Sequence, residues 1–76
     1  MFVRVFHFWG LLMNLKTARF FKGITQTELQ SRSGVFQSRI SLFEKGYAQP
    51  TTKERTRIDE ALGITVDWDE THSENY

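Results

Sequence analysis

The 76-residue chain has no cysteine, one proline and two histidines. Without cysteine it can form neither disulfides nor thiolate metal sites, and His7 and His72 are too far apart in the sequence to suggest a pair of ligands. We therefore expect no metal, no cofactor and no redox chemistry, and a reducing, cytoplasmic location. A chain this short has room for one small domain with a marginal core, so oligomerisation is expected.

Long hydrophobic runs are also missing. The apolar N-terminal extension, residues 1–12, is too short to span a bilayer, which needs about 20 residues, and it has no small-residue cleavage site. We expect neither membrane insertion nor secretion. The extension is interpreted as a strand pairing across a dimer, a flap over the core, or a segment translated before a true start at Met13. The last two interpretations are preferred, because the recognisable pattern begins near Asn14.

No residue pattern suggests an enzyme. Serine, histidine and acidic residues are present, but no spacing suggests a nucleophile with its base. Charge is more informative, because Leu15 to Gly46 holds six basic residues against two acidic ones, although the net charge is only +1. The acidic residues after Val66 are Asp67, Asp69, Glu70 and Glu74. A basic middle favours phosphate binding, and a solvated helical surface is the simpler alternative from charge alone.

Residues 26–45 predict two short helices joined by a tight turn. Thr25 and Glu28 have the S/T-x-x-E spacing of a capping box, which begins the first of these helices. Gly34 falls where the chain must reverse and tolerates a left-handed backbone. The stretch therefore has the layout of a helix-turn-helix.

The second of these helices, about residues 36–45, has two distinct faces. Phe36, Ile40 and Phe43 recur at i, i+4 and i+7, which predicts one buried stripe. The predicted outward side chains are Gln37, Ser38, Arg39, Ser41, Leu42 and Lys45. A short, polar and cationic face of this kind is typical of a helix that enters the major groove.

Flanking elements complete an all-α arrangement. A first helix is predicted from a stripe of Leu11, Leu15, Ala18 and Phe21 that ends at Gly23, with Phe20 off the stripe. A fourth helix, residues 53–62, follows a cap at Thr51 or Thr52 and ends before Gly63. A last short turn, residues 65–70, carries Val66 and Trp68, and residues 71–76 are expected to be a polar tail.

From about Asn14 to Trp68, roughly three quarters of the chain, the sequence resembles the Cro and phage-repressor (xenobiotic-response-element type) helix-turn-helix family of five-helix DNA-binding domains. The matching residues are Leu15-Lys16 with Arg19, Lys22 to Gln26, Gly34-Val35, Ile40, Glu44-Lys45-Gly46, Pro50, Ala61 to Ile64, and Val66-Asp67-Trp68. Their joint order and spacing are specific. The resemblance implies a compact five-helix domain over residues 13–70.

The resemblance also implies roles for single residues. Arg19 and Glu44 would form a buried ion pair, and Gln26 would hold a DNA phosphate or brace Gln37. The residues placed at base edges are Gln37, Ser38, Ser41 and Leu42. The residues placed at phosphates are Arg39, Lys45 and Lys16.

Chemistry limits what these residues can read. Gln37 can grip adenine through its amide, whereas Leu42 can only touch apolar surface such as a thymine methyl. Phosphate contacts set register and affinity without reading sequence.

Several positions depart from the family pattern. Gln30 replaces a small residue, so its stem must bend outward or the helix crossing must open. Phe36 replaces the usual Ser or Thr cap and is expected to add core area at the cost of capping. Val66 and Trp68 either meet a second copy across a two-fold axis or form a small satellite core.

The expected function is a sequence-specific, double-stranded-DNA-binding transcriptional repressor of phage or prokaryotic type. It would act as a homodimer on a pseudo-palindromic site. The alternative is a protein-interaction module, such as the antitoxin of an addiction pair, that binds a partner through its N-terminus or its acidic tail.

Overall fold

The computed structural model describes residues 13–68, so the predicted extension and polar tail lie outside the described residues. Its helices are α1 (Leu15–Phe21), α2 (Gln26–Ser33), α3 (Gln37–Lys45) and α4 (Thr52–Leu62). Residues 13–68 form no strand, in agreement with the predicted all-α class. The predicted count of five helices is not supported, because residues 64–67 are not helical and residues 69–70 fall outside this range.

Side-chain caps explain where three of the helices begin. Asn14 Oδ1 accepts a hydrogen bond from the Thr17 backbone at 2.8 Å and starts α1. The predicted capping box of α2 is present, with Glu28 N donating to Thr25 Oγ1 at 3.0 Å and Thr25 N donating to Glu28 Oε1 at 3.1 Å. Of the two candidate caps for α4, Thr51 is the one used, in a second capping box with Glu54.

Helix α3 begins differently, and one prediction about it is wrong. Phe36 holds the cap position, but it makes no side-chain capping bond and is 70% exposed, so it adds nothing to the core. A helical stripe does not extend to it, because the cap residue has an extended backbone rather than a helical one. Gln30 supplies the missing cap, accepting a hydrogen bond from Gln37 N at 2.6 Å.

The core lies between all four helices and continues into the segment after α4. Its buried apolar residues are Leu15, Ala18, Ile24, Leu29, Val35, Ile40, Phe43, Ile58, Leu62 and Val66. The segment after α4 is fixed by two backbone donors, because Val66 N binds Asp59 Oδ1 at 3.1 Å and Asp67 N binds Met13 O at 2.8 Å. These bonds hold the segment after α4 against α4 itself and against Met13, which precedes α1.

The prediction for Phe21 is also wrong, because the helical stripe places it in the core but the structure leaves it 66% exposed. Each step of three residues turns the face of a helix back by about 60°, so a stripe counted from Leu11 drifts off the core by Phe21. The inward position is taken instead by Arg19, which is buried. Phe20 is exposed, as expected for a residue off the stripe.

None of the helices formed by residues 13–68 is long and apolar enough to cross a bilayer.

Candidate nucleic-acid interface

Helix α3 presents a polar outer face because its apolar residues are fixed on the inner one. Ile40 and Phe43 are fully buried, which determines the rotation of the helix. Of the six predicted outward residues, the exposed ones are Gln37, Ser38, Leu42 and Lys45, and the half-buried ones are Arg39 and Ser41. All six residues therefore lie on the accessible side of α3, as their spacing predicts. Phe36 is also exposed, beside them at the start of the helix.

A chain of hydrogen bonds leads from the interior to Gln37. Gln26 Nε2 donates to Glu44 Oε1 at 3.0 Å, and Gln37 Nε2 donates to Gln26 Oε1 at 2.9 Å. An ionised carboxylate only accepts hydrogen bonds, so Gln26 must turn its NH₂ group toward Glu44 and its oxygen toward Gln37. This polarity leaves the Gln37 oxygen and its second N–H without a hydrogen-bond partner among the described residues.

This chain of hydrogen bonds starts at a buried ion pair between α1 and α3. Arg19 Nε and Nη2 donate to the two Glu44 oxygens at 2.6 and 3.2 Å, and Arg19 Nη1 donates to Ile24 O at 2.9 Å. The Arg19 and Glu44 side chains are only 9% and 5% exposed. Because Gln26 on α2 also binds Glu44, this one carboxylate ties together three helices.

A second ion pair, which residue spacing does not predict, joins α3 to α4. Arg39 Nε and Nη2 donate to Glu54 Oε2 and Oε1 at 2.6 and 3.0 Å, and the guanidinium lies 5.0 Å from the Phe43 ring centroid. This pair is more open, with the two side chains 41% and 19% exposed. The hydrogen bond from Arg39, followed by that from the Thr51 backbone, lowers the pKa of Glu54 to about 2 despite partial burial.

The remaining predicted site residues are spread over other elements. Lys16 is exposed on the first turn of α1, whereas the other phosphate candidates are on α3. Val66 is 2% exposed, so its side chain packs in this chain's own core and offers no surface to a second copy. Trp68 is half-buried against the same core. The predicted pair of dimer contacts is thus reduced to Trp68.

No group of three or more His, Asp or Glu side chains within residues 13–68 is arranged to hold a metal ion. The chemistry of the α3 face is therefore that of amide, hydroxyl and cationic hydrogen-bond donors on a rigid helix. Such groups suit phosphate oxygens and base edges.

Comparisons with known proteins agree with this geometry. The profile of the Helix-turn-helix family matches residues 16–68, more than half of the chain. An uncharacterized HTH-type transcriptional regulator, y4dJ, of Sinorhizobium fredii is 39% identical over 44 residues, which cover 58% of this chain and 57% of that protein. The match thus spans a little over half the length of this curated relative. No solved structure matches the chain. With most of its length, including α2, the Gly34 turn and α3, matched by that profile, the chain belongs to the Cro and phage-repressor (xenobiotic-response-element) type of helix-turn-helix family.

Proposed function

We propose that this protein is a sequence-specific, double-stranded-DNA-binding transcriptional regulator whose helix α3 enters the major groove. The observation that carries the proposal is the braced amide of Gln37 at the exposed start of α3. In helix-turn-helix proteins, the N-terminal residues of the second helix contact base edges. The y4dJ relative, which is named as a transcriptional regulator, supports the same class of function.

Gln37 is the residue that we assign to base reading. Its free oxygen and second N–H match the N6 donor and N7 acceptor that adenine offers in the major groove. Glu44 fixes the orientation of the Gln26 amide, and Gln26 in turn fixes the orientation of the Gln37 amide. The Gln37 amide is therefore already oriented before DNA binds. Ser38, Ser41 and Leu42 lie further along the same accessible side, where Leu42 can contact only apolar groups such as a thymine methyl.

Phosphate contacts are assigned to three cationic residues, of which two lie on α3 and one lies on α1. Lys45 and Lys16 are exposed, and Arg39 is half-buried within its ion pair. These residues would raise the affinity for every duplex without distinguishing between sequences. Binding should therefore weaken steeply as salt is raised.

We further propose that the regulator works as a homodimer and represses by blocking access of polymerase. Two copies related by a two-fold axis would place their α3 helices about 34 Å apart, one turn of DNA, and read a pseudo-palindromic site. The half-buried Trp68 is the contact that we would test first. Light scattering on the free protein and on the complex would measure the stoichiometry, and a single copy per site would exclude the dimer.

The base-reading role is tested by selecting bound duplexes from a random pool with the wild type and with Gln37→Ala. We expect the wild type to enrich a site containing adenine at a fixed position and the variant to lose that one preference, a change of about 1–3 kcal/mol. Equal loss of binding to all sequences would contradict the assignment. Binding that does not respond to salt would favour the alternative protein-interaction module.

A further inference from the structure

Arg39 lies between the base-facing residues of α3 and helix α4, and its guanidinium is already engaged. Glu54 occupies the full Nε–Nη2 edge with two hydrogen bonds of 2.6 and 3.0 Å. The ring of Phe43 lies against the guanidinium face. A DNA phosphate offers this fork the same kind of paired acceptor oxygens as a carboxylate does. The Glu54 carboxylate and a DNA phosphate would therefore compete for the same Nε–Nη2 edge of Arg39.

We propose that Glu54 is an intramolecular competitor of the DNA backbone for Arg39 and thereby limits the affinity of the interface. The inference rests on the proposed DNA-binding function and adds to it a residue that sets binding strength. Glu54 lies on α4, outside the helix-turn-helix.

The exposure of the pair makes it displaceable. Arg39 is 41% exposed at its side chain, so a phosphate can approach it from solvent. Ion pairs at the surface contribute little to folding, so opening one demands little free energy. The Arg19 side chain, in contrast, is only 9% exposed.

The competitor is present under all conditions in which DNA binding is measured. The Arg39 hydrogen bond keeps the pKa of Glu54 at about 2, so its carboxylate stays charged near neutral pH. While the pair is closed, Arg39 adds no net charge to the α3 face. A phosphate that binds the opposite edge of the guanidinium is still repelled by the nearby carboxylate.

The test is Glu54→Gln, with Glu60→Gln as the matched control. Glutamine at position 54 can keep the capping box with Thr51, because S/T-x-x-Q caps as S/T-x-x-E does. Glu60 is exposed on the same helix, so its variant measures the effect of simply removing one negative charge. Both variants and the wild type are titrated with the selected duplex and with random duplexes over a series of salt concentrations.

We expect Glu54→Gln to bind all duplexes about tenfold more tightly at low salt, clearly beyond the Glu60→Gln control. The plot of log affinity against log salt should steepen by about 0.9, as expected for one further phosphate contact. In an Arg39→Gln background the same Glu54→Gln change should give no more than the control gain. Glu54→Asp, which keeps the charge but shortens the reach to Arg39, should also tighten binding.

Equal affinities for Glu54→Gln and Glu60→Gln, or weaker binding by both position-54 variants when fully folded, would overturn the competitor role. Thermal unfolding of each variant identifies the folded range. If the wild type itself shows no salt-dependent DNA binding, the proposed function fails first. If the wild type binds DNA and only the gain is absent, this inference alone fails.

Discussion

Two arginine–glutamate pairs anchor helix α3, and they differ chiefly in burial. Both are bidentate, with a shortest distance of 2.6 Å. The Arg19–Glu44 pair lies in the interior and receives a further bond from Gln26, whereas the Arg39–Glu54 pair lies at the surface beside the proposed DNA contacts. Similar geometry is therefore expected to serve two purposes: the inner pair fixes the orientation of α3, and the outer pair is the one that we propose to exchange its partner.

The largest expected effect comes from breaking the inner pair. Glu44→Ala leaves the Arg19 charge buried without its partner, which should lower the free energy of unfolding by about 3–5 kcal/mol. Chemical denaturation monitored by Trp fluorescence measures this change. Glu54→Gln is the surface control and should lose no more than about 1 kcal/mol, because exposed ion pairs contribute little. Equal losses in the two variants would contradict the distinction between the pairs.

The next-largest effect is expected from breaking the link between the Gln37 amide and the Arg19–Glu44 pair while that pair stays intact. Gln26→Lys keeps a donor for Glu44 but removes the oxygen that accepts from Gln37. We expect stability to be retained and the preference for adenine to fall by about 1–3 kcal/mol, measured by titrating the selected duplex and a single-base variant of it. An unchanged preference would mean that the brace is not needed for reading.

Lowering the pH should weaken the Arg39–Glu54 pair by protonating Glu54. The pKa of Glu54 is lowered from 4.5 to about 2, so the ionised form is favoured by folding and its stabilising contribution is present above pH 4.5. That contribution should disappear as the pH falls from about 4.5 to about 2. The difference in unfolding free energy between the wild type and Glu54→Gln, measured across this range, should shrink toward low pH. A difference that stays constant would contradict the pairing.

The smallest expected effect concerns Asp59 on α4, because its surroundings raise its pKa whereas those of Glu54 lower it. Burial raises the pKa of Asp59, although the Val66 backbone hydrogen bond partly offsets this. The neutral form is thus favoured by folding, so the wild type should gain stability relative to Asp59→Asn as the pH falls toward the ordinary value of 3.8. Asparagine is neutral and can still accept from Val66 N, so at neutral pH we expect Asp59→Asn to be at least as stable as the wild type. Paired denaturation curves at several pH values check both expectations.

Local sequence signals predicted much of the framework. The capping box at Thr25, the left-handed Gly34 and the buried Ile40 and Phe43 each depend on residues within a few positions of one another. The structure has all of these features. Short-range patterns work here because backbone hydrogen bonds and helical periodicity dictate them directly.

Contacts between separate elements were predicted only where the family resemblance implied them, as for Arg19 with Glu44 and for Gln26 with Gln37. Gln30 caps α3 across the turn, and Arg39 meets Glu54 fifteen positions away, so both contacts depend on how the helices pack. The exposed Phe36 and Phe21 were misassigned because a periodic stripe was carried past the end of the helical core face. Pairings of this kind have no signal in spacing alone.

The central claim is that the accessible side of α3 lies against base edges, and chemical-shift mapping tests it most directly. Isotope-labelled protein would be titrated with the selected duplex while backbone and side-chain amide signals are followed. We predict that the largest changes fall on Gln37, Ser38, Ser41, Leu42 and Lys45, together with the side-chain amide of Gln26. Changes centred on Phe20 and Phe21 or on the exposed residues of α4, with α3 unaffected, would contradict it.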